Sequence, residues 1–349
     1  MKEASISEHT TAKARALVEE RFSRVDLNSP VFRVLFDLSV EHVAKDMVDN
    51  PKRYAPRPEV SMPGTHFDAI DPVTLLQDEI KLPSLPQIFI ELKQVMNDPS
   101  SSAADLADVI SQDTGLSAFL LRMVNSAFYS FPSQIDTISR AVAVIGTRQL
   151  STLALGTSVM DMFKDMAAKA IDLELFWQHS FACGTIAREL ASILGNASPE
   201  RCFVAGMLHD IGRPVLINAM PERAVAAANI SEFKKAQLHR AERITIGFDH
   251  AHLGGMLLRK WNLPFPLVSA VLYHHNPNKA KKYPEARIVY FSNIITKALG
   301  IGTSGDFIIP DIPEEYWESS GINSEVLTML ISRLDTLLES AFSILESAA

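Results

Sequence analysis

Apolar residues recur at spacings of three and four along nearly the whole of this 349-residue chain, and few segments alternate strictly between apolar and polar. A period near 3.6 puts such residues on one face of a helix, whereas a half-buried strand needs a period of two. The chain is therefore expected to be all-α, with room for only a small sheet. With 47% hydrophobic residues it is long enough to bury one large or two modest cores, which excludes disorder of the whole.

The spacing predicts helices over 8–22 and 30–50, the second striped by Val31, Leu35, Leu38, Val43 and Met47. Four prolines then mark 51–64 as a connector. Further helices are expected near 87–97, 103–111, 113–128 and 136–163. Asp113 and Asp136 are suited to cap the last two, since a carboxylate at that position accepts from the first free amides. A second helical block runs over 172–300. An amphipathic helix over 323–347 carries Val326, Leu330, Leu334, Leu337 and Leu345 on one face, a stripe that normally meets a core but would also serve a partner. The expected organisation is an amino-terminal helical extension (1–70), a principal domain (71–302) with a helical half (75–163) and a histidine-bearing half (172–302), and a carboxy-terminal helical extension (303–349).

Forty-one acidic against 33 basic residues give a formal charge of -8, which argues against a broad phosphate-binding surface and so against nucleic acid as partner. The two cysteines, Cys183 and Cys202, form no Cys-x-x-Cys spacing and sit in apolar helical patterns, as core thiols of a reduced compartment do. Residues 1–20 carry charges and hydroxyls where a signal peptide needs an apolar stretch, and no apolar run reaches the length of a membrane span. A cytoplasmic protein without membrane contact is expected.

The chemistry lies in the second block. His209 and Asp210 follow Phe203, Val204, Met207 and Leu208, which places both near the end of a buried helix, with Gly212 expected to terminate it in a left-handed conformation and Pro214 in the first turn of the next. Adjacent imidazole and carboxylate suit Fe, Mn, Zn or Ni better than an oxygen-only ion such as Ca. His179 sits among Phe176, Ala182, Cys183, Ile186 and Leu190, so on its own it reads as a core histidine with a backbone partner. His250 follows Asp249, a candidate cap. His274 and His275 end a helix before Asn276-Pro277, where clustered imidazoles in apolar surroundings would be costly without a shared role. His252 faces another way and reads as surface or supporting; His9, His42, His66 and His239 carry no comparable context.

The motifs Leu82-Pro-Ser-Leu-Pro86, Val124-Asn-Ser-Ala-Phe-Tyr129 and Ile138-Ser-Arg-Ala-Val-Ala-Val-Ile-Gly146 are joined by Trp177-Gln-His179, His209-Asp-Ile-Gly-Arg213, Gly247-Phe-Asp-His250, Trp261-Asn-Leu-Pro264 and His274-His275. Together they make the chain resemble, over about 75–302, the HDOD proteins, the HD-related output domain branch of the HD superfamily. The resemblance implies an all-helical bacterial regulatory module, often found beside cyclic-dinucleotide circuits. It implies that a metal is held by His179, His209, Asp210 and a later aspartate, with His250, His274 and His275 added where the metal centre is larger.

Two departures separate this chain from catalytic relatives. The position of the closing aspartate is taken by Asn293, an amide that brings no negative charge, and is read here as a supporting residue. After His275 the Glu-Arg and Gly-Tyr-Pro of the cyclic-dinucleotide phosphodiesterases are replaced by Asn276-Pro-Asn-Lys-Ala-Lys-Lys-Tyr-Pro284. Arg213 is the expected phosphate contact, because guanidinium grips two oxygens at once; Lys279, Lys281 and Lys282 read as a solvated loop. The expectation is a signalling module that works through partner proteins, with a remnant divalent-metal site and no assigned catalytic residue. The alternatives are a metal-dependent phosphohydrolase, acting on a cyclic dinucleotide or a nucleotide, and a cyclic-nucleotide sensor without turnover; a cyclic dinucleotide is the small-molecule partner considered.

Overall fold

The computed structural model describes residues 6–54, 71, 73, 85–163 and 172–346. Among them every regular element is helical. Leu82, Pro83 and Ser84 of the first motif, His66 and most of the expected connector lie outside the described residues.

The chain opens with α1 (Glu8–Arg21) and α2 (Pro30–Asp49), started by Ser7 and Ser29, whose hydroxyls accept from Thr10 and Phe32 amides. Then come α3 (Gln87–Asn97), α4 (Ala103–Gln112) and α5 (Thr114–Val124). Asp113 caps α5 as expected, its Oδ1 accepting from Leu116 N at 2.8 Å. That helix stops at Val124 rather than 128. Asn125 ends it, its side chain both donating to Ile135 O and accepting from Ile135 N at 2.7 Å, which pins the following loop.

The helix expected over 136–163 is two helices, α6 (Ile138–Ile145) and α7 (Thr147–Asp161). Gly146 separates them at φ +98°, a conformation that side-chain-bearing residues avoid. The cap of α6 is Thr137, not Asp136, because a capping oxygen must sit on the residue just before the helix to reach the third amide, here Arg140 N.

The second block comprises α8 (Leu173–Leu194), α9 (Pro199–Leu208), α10 (Gly212–Ala219), α11 (Pro221–Phe233), α12 (Leu238–Thr245), α13 (His250–Lys260), α14 (Phe265–Tyr273) and α15 (Pro284–Leu299). After it follow α16 (Glu314–Ser320) and α17 (Ser324–Glu346). α8 is the axis of the molecule: α9, α15 and α17 all pack on it. Its contact with α9 is backbone to backbone, since a Cβ on Gly206 would lie 2.7 Å from Gly184 Cα. Cys183 and Cys202 are fully buried here, as core thiols.

One apolar core runs continuously from Ala14 to Ile344, so the flanking helices complete the core instead of standing apart from it. Trp317 of α16 is fully buried, edge-on to Phe32 of α2 at 5.4 Å and against Phe291 of α15 at 4.4 Å. Burial of each such side chain contributes about 1.5–3 kcal/mol. Arg188 of α8 lies 4.5 Å over Tyr129 and near Glu200, which ties the loop after α5 to the histidine-bearing half.

Candidate metal centre

Helix ends deliver the site. His209 ends α9, Asp210 lies in the short turn before α10, His250 opens α13, and His274 ends α14, while His179 and Asn293 project from within α8 and α15. Asp249 caps α13 as expected, accepting from His252 N at 2.8 Å. Gly212 does not adopt the left-handed conformation expected of it; it opens α10. Its need is for space, because a Cβ there would lie 2.0 Å from His250 O. That close approach sets the Asp210 turn against the start of α13.

Three of the imidazoles share one orientation. Nδ1 of His209 contacts Gly206 O at 2.7 Å, Nδ1 of His274 contacts Val271 O at 2.7 Å, and Nδ1 of His250 contacts Glu242 Oε2 at 2.6 Å. A proton on Nδ1 leaves Nε2 as the inward atom. Those three Nε2 atoms lie 3.4, 3.5 and 3.0 Å from Asp210 Oδ1 respectively. The directions are not those of hydrogen bonds: both Asp210 oxygens, His209 Nε2 and His274 Nε2 are buried without a hydrogen-bond partner. His179 adds the same demand. Its ring faces Ile301 O at 3.2 Å and Asn293 Oδ1 at 3.1 Å, two acceptors for the single N–H of a neutral imidazole.

Burial governs the charges. It holds the His179 pKa down to about 4 against the pull of Asp210, and drives His209 and His275 well below the usual imidazole value. Burial would lower His250 too, but Glu242 and Asp210 together outweigh it and raise its pKa to about 10. For Asp210, burial favours the acid form, yet the surrounding histidines keep it an anion well below the ordinary carboxylate range. A buried carboxylate whose oxygens find no hydrogen-bond partner is costly by itself.

A cation relieves that cost, and the donors suit one. His179, His209 and Asp210 offer ligand atoms within 4.8 Å of one another, as do His250, His274 and His275. Imidazole nitrogen with a single carboxylate is the donor set of first-row transition metals. The described residues therefore fit the divalent metal that the sequence suggested, as one centre or two adjoining ones.

All six expected histidine and aspartate positions come together, and Asn293 with them. His252 is exposed and takes no part. Arg213 is buried, 5.9 Å from the Phe176 ring, with Nη1 lacking a hydrogen-bond partner. Lys279, Lys281 and Lys282 are exposed, as a solvated loop requires. Two participants escaped the sequence reading. His239 stacks on His275 at 4.0 Å, and Glu242 accepts from both the amide and the ring of His250. Both lie on α12, where the spacing of three puts them on one face; only a partner brought from α13 gives that face a purpose.

The inner members are deeply buried: His179, His209, Asp210, His250, His274 and Asn293 are each no more than 5% exposed, while His275 is half-buried. Among the described residues no helix is long and apolar enough to cross a membrane.

The HDOD domain family matches residues 82–277. An uncharacterized protein of Treponema pallidum (strain Nichols) is 28% identical over 247 residues, which are 70% of this chain and 47% of that protein, so the chain spans about half the length of this curated relative. A solved structure from Shewanella amazonensis SB2B, named as a proposed phosphohydrolase, superposes with a TM-score of 0.61 at 26% identity, covering 79% of this chain and 98% of that one. Another, named as a proposed signal transduction protein from Marinobacter aquaeolei VT8, shares the fold at a TM-score of 0.60 and 20% identity, covering 87% of this chain and 66% of that one.

Proposed function

This chain belongs to the HDOD domain family, and from that premise we propose that it is a regulatory module that holds a divalent transition metal and acts through protein contacts, not turnover. One observation carries the reading: the unpaired inward nitrogens of His209 and His274 around a deeply buried, unpaired Asp210. His179, His209, Asp210, His250, His274 and His275 would hold the ion, with Asn293 as an uncharged neighbour. Asn293 in the place of a closing carboxylate, and the altered run after His275, argue against turnover.

Elemental content, measured on protein purified without chelator, together with hydrolysis of a cyclic dinucleotide by the same sample, tests this. At least one Fe, Mn, Zn or Ni per chain with no product is expected. Turnover that disappears in His209→Ala would overturn the regulatory reading, and absence of metal would remove its foundation.

The second reading is a metal-dependent phosphohydrolase. It is favoured by Arg213, a buried guanidinium with an unsatisfied donor near His179, and by the likeness to the Shewanella structure. A metal in this site would supply Lewis acidity to a phosphoryl oxygen. Arg213 would hold the phosphate, and Asn293 would donate or accept a hydrogen bond without adding charge. Cyclic-dinucleotide binding in calorimetry without product would mark a sensor instead.

A further inference from the structure

Beside the histidine cluster lies a cavity of about 370 Å³ between the amino-terminal helices and the chain that follows α15. Its lining includes Arg21, Arg53, His179, Lys297, Ser304 and Asp306. That volume is within the range of small-ligand pockets, roughly 300–1,000 Å³. The polar groups on its inner wall have an unusual occupant.

Asp306 enters from the loop after α15. Its Oδ1 lies 2.6 Å from Lys297 Nζ and its Oδ2 accepts from Leu238 N, the first amide of α12, at 2.7 Å. An ammonium and a helix-start amide aimed at two oxygens of one group are the fittings of an oxyanion site. Both Lys297 and Asp306 are at most 9% exposed. A third donor is close by: Gly305 packs against Arg213 so tightly that a Cβ on it would lie 2.3 Å from Nη2, and Arg213 Nη1 is buried with no hydrogen-bond partner. Lys297 and Arg213 are both near enough to His179 to oppose its protonation. One carboxylate balances one of these two cations; a phosphate, at about -1.5 to -2, would balance both.

We propose that Lys297, the Leu238 amide and Arg213 form a phosphate-binding site behind this cavity, met from it through Lys297 and Asp306, which the chain fills with its own Asp306 until a phosphorylated small molecule displaces it. The site adjoins the metal centre but does not rest on it. A ligand held there would lift residues 303–306 from the cluster, and so would link small-molecule binding to the contacts through which a regulatory module acts.

Calorimetry of the full chain with inorganic phosphate, after chelator treatment, is the test. Asp306→Asn should bind phosphate at least tenfold more tightly than the wild type, about 1.4 kcal/mol, and adding Lys297→Met should abolish the gain. Equal affinity in a folded Asp306→Asn variant, or a gain that survives Lys297→Met, overturns the proposal. So does phosphate binding that appears only with metal restored, since it places the anion on the histidines. If Asp306→Asn does not fold, hydrogen exchange of residues 303–306 in the wild type decides: acceleration by phosphate supports displacement, and unchanged exchange refutes it. Metal content is read separately, so loss of the metal reading leaves this result intact.

Discussion

Asn293 shows how much one atom decides. Its Oδ1 stands 3.1 Å from His179 Nε2, in the place where a carboxylate would add charge to the centre. Asn293→Asp should tighten metal binding at least tenfold, about 1.4 kcal/mol, as measured by competition with a chromogenic chelator. Unchanged affinity would take residue 293 out of the metal's surroundings. The metal-free variant should be less stable than wild type, because it buries a second carboxylate close to that of Asp210. Gly212 is the complementary case: the sequence announced a special glycine, but its requirement is proximity to His250 O and not a positive φ.

At the scale of elements, the site depends on how closely α8 and α9 cross. Gly184 and Gly206 let the two backbones touch, and this carries the end of α9, with His209, up to His179. Gly206→Ala must push the helices apart, at a cost of about 1–3 kcal/mol. A lower denaturation midpoint at unchanged slope, with weaker metal binding, is the expected result; wild-type stability would mean the crossing tolerates a methyl. A second test concerns α2 and α17. His42 on α2 has its pKa lowered by burial, against the opposing pull of Asp335 on α17 and of Asp46, while Lys45 and Arg21 add to the lowering. With the folded value below the unfolded one, the unfolded chain takes up the proton first, so stability falls as pH drops below about 6.5. Melting temperatures between pH 7 and 5 should fall less steeply for His42→Gln than for wild type. An unaltered slope would assign acid sensitivity to other groups.

For the whole molecule, a metal bound only by the folded state must stabilise it. At free metal 100 times the dissociation constant the gain is about 2.7 kcal/mol. Denaturant titrations with and without Mn or Zn should differ by that order, and His209→Ala should erase the difference. If the metal stabilises His209→Ala equally, the ion is bound elsewhere. The flanking helices belong to the same balance, since Trp317, Phe32 and Phe291 share one core, and α17 covers α8.

The sequence by itself determined the helices, because a 3.6-residue period is local, and it determined that His209, Asp210, His250 and His274 fall at helix ends. It also gave the donor types that could hold a metal, because these are read one residue at a time. It overran helical breaks at Gly146 and Asn125, where a positive φ and a pinned loop interrupt an unbroken apolar pattern. Only the tertiary structure decided that His209, His250 and His274 turn the same ring nitrogen toward one place, that His239 and Glu242 join them, and that Asp306 pairs with Lys297 nearby. Periodicity fixes the face a residue occupies on its own helix. What that face meets is fixed by long-range crossings, here by glycines whose missing side chains let backbones touch.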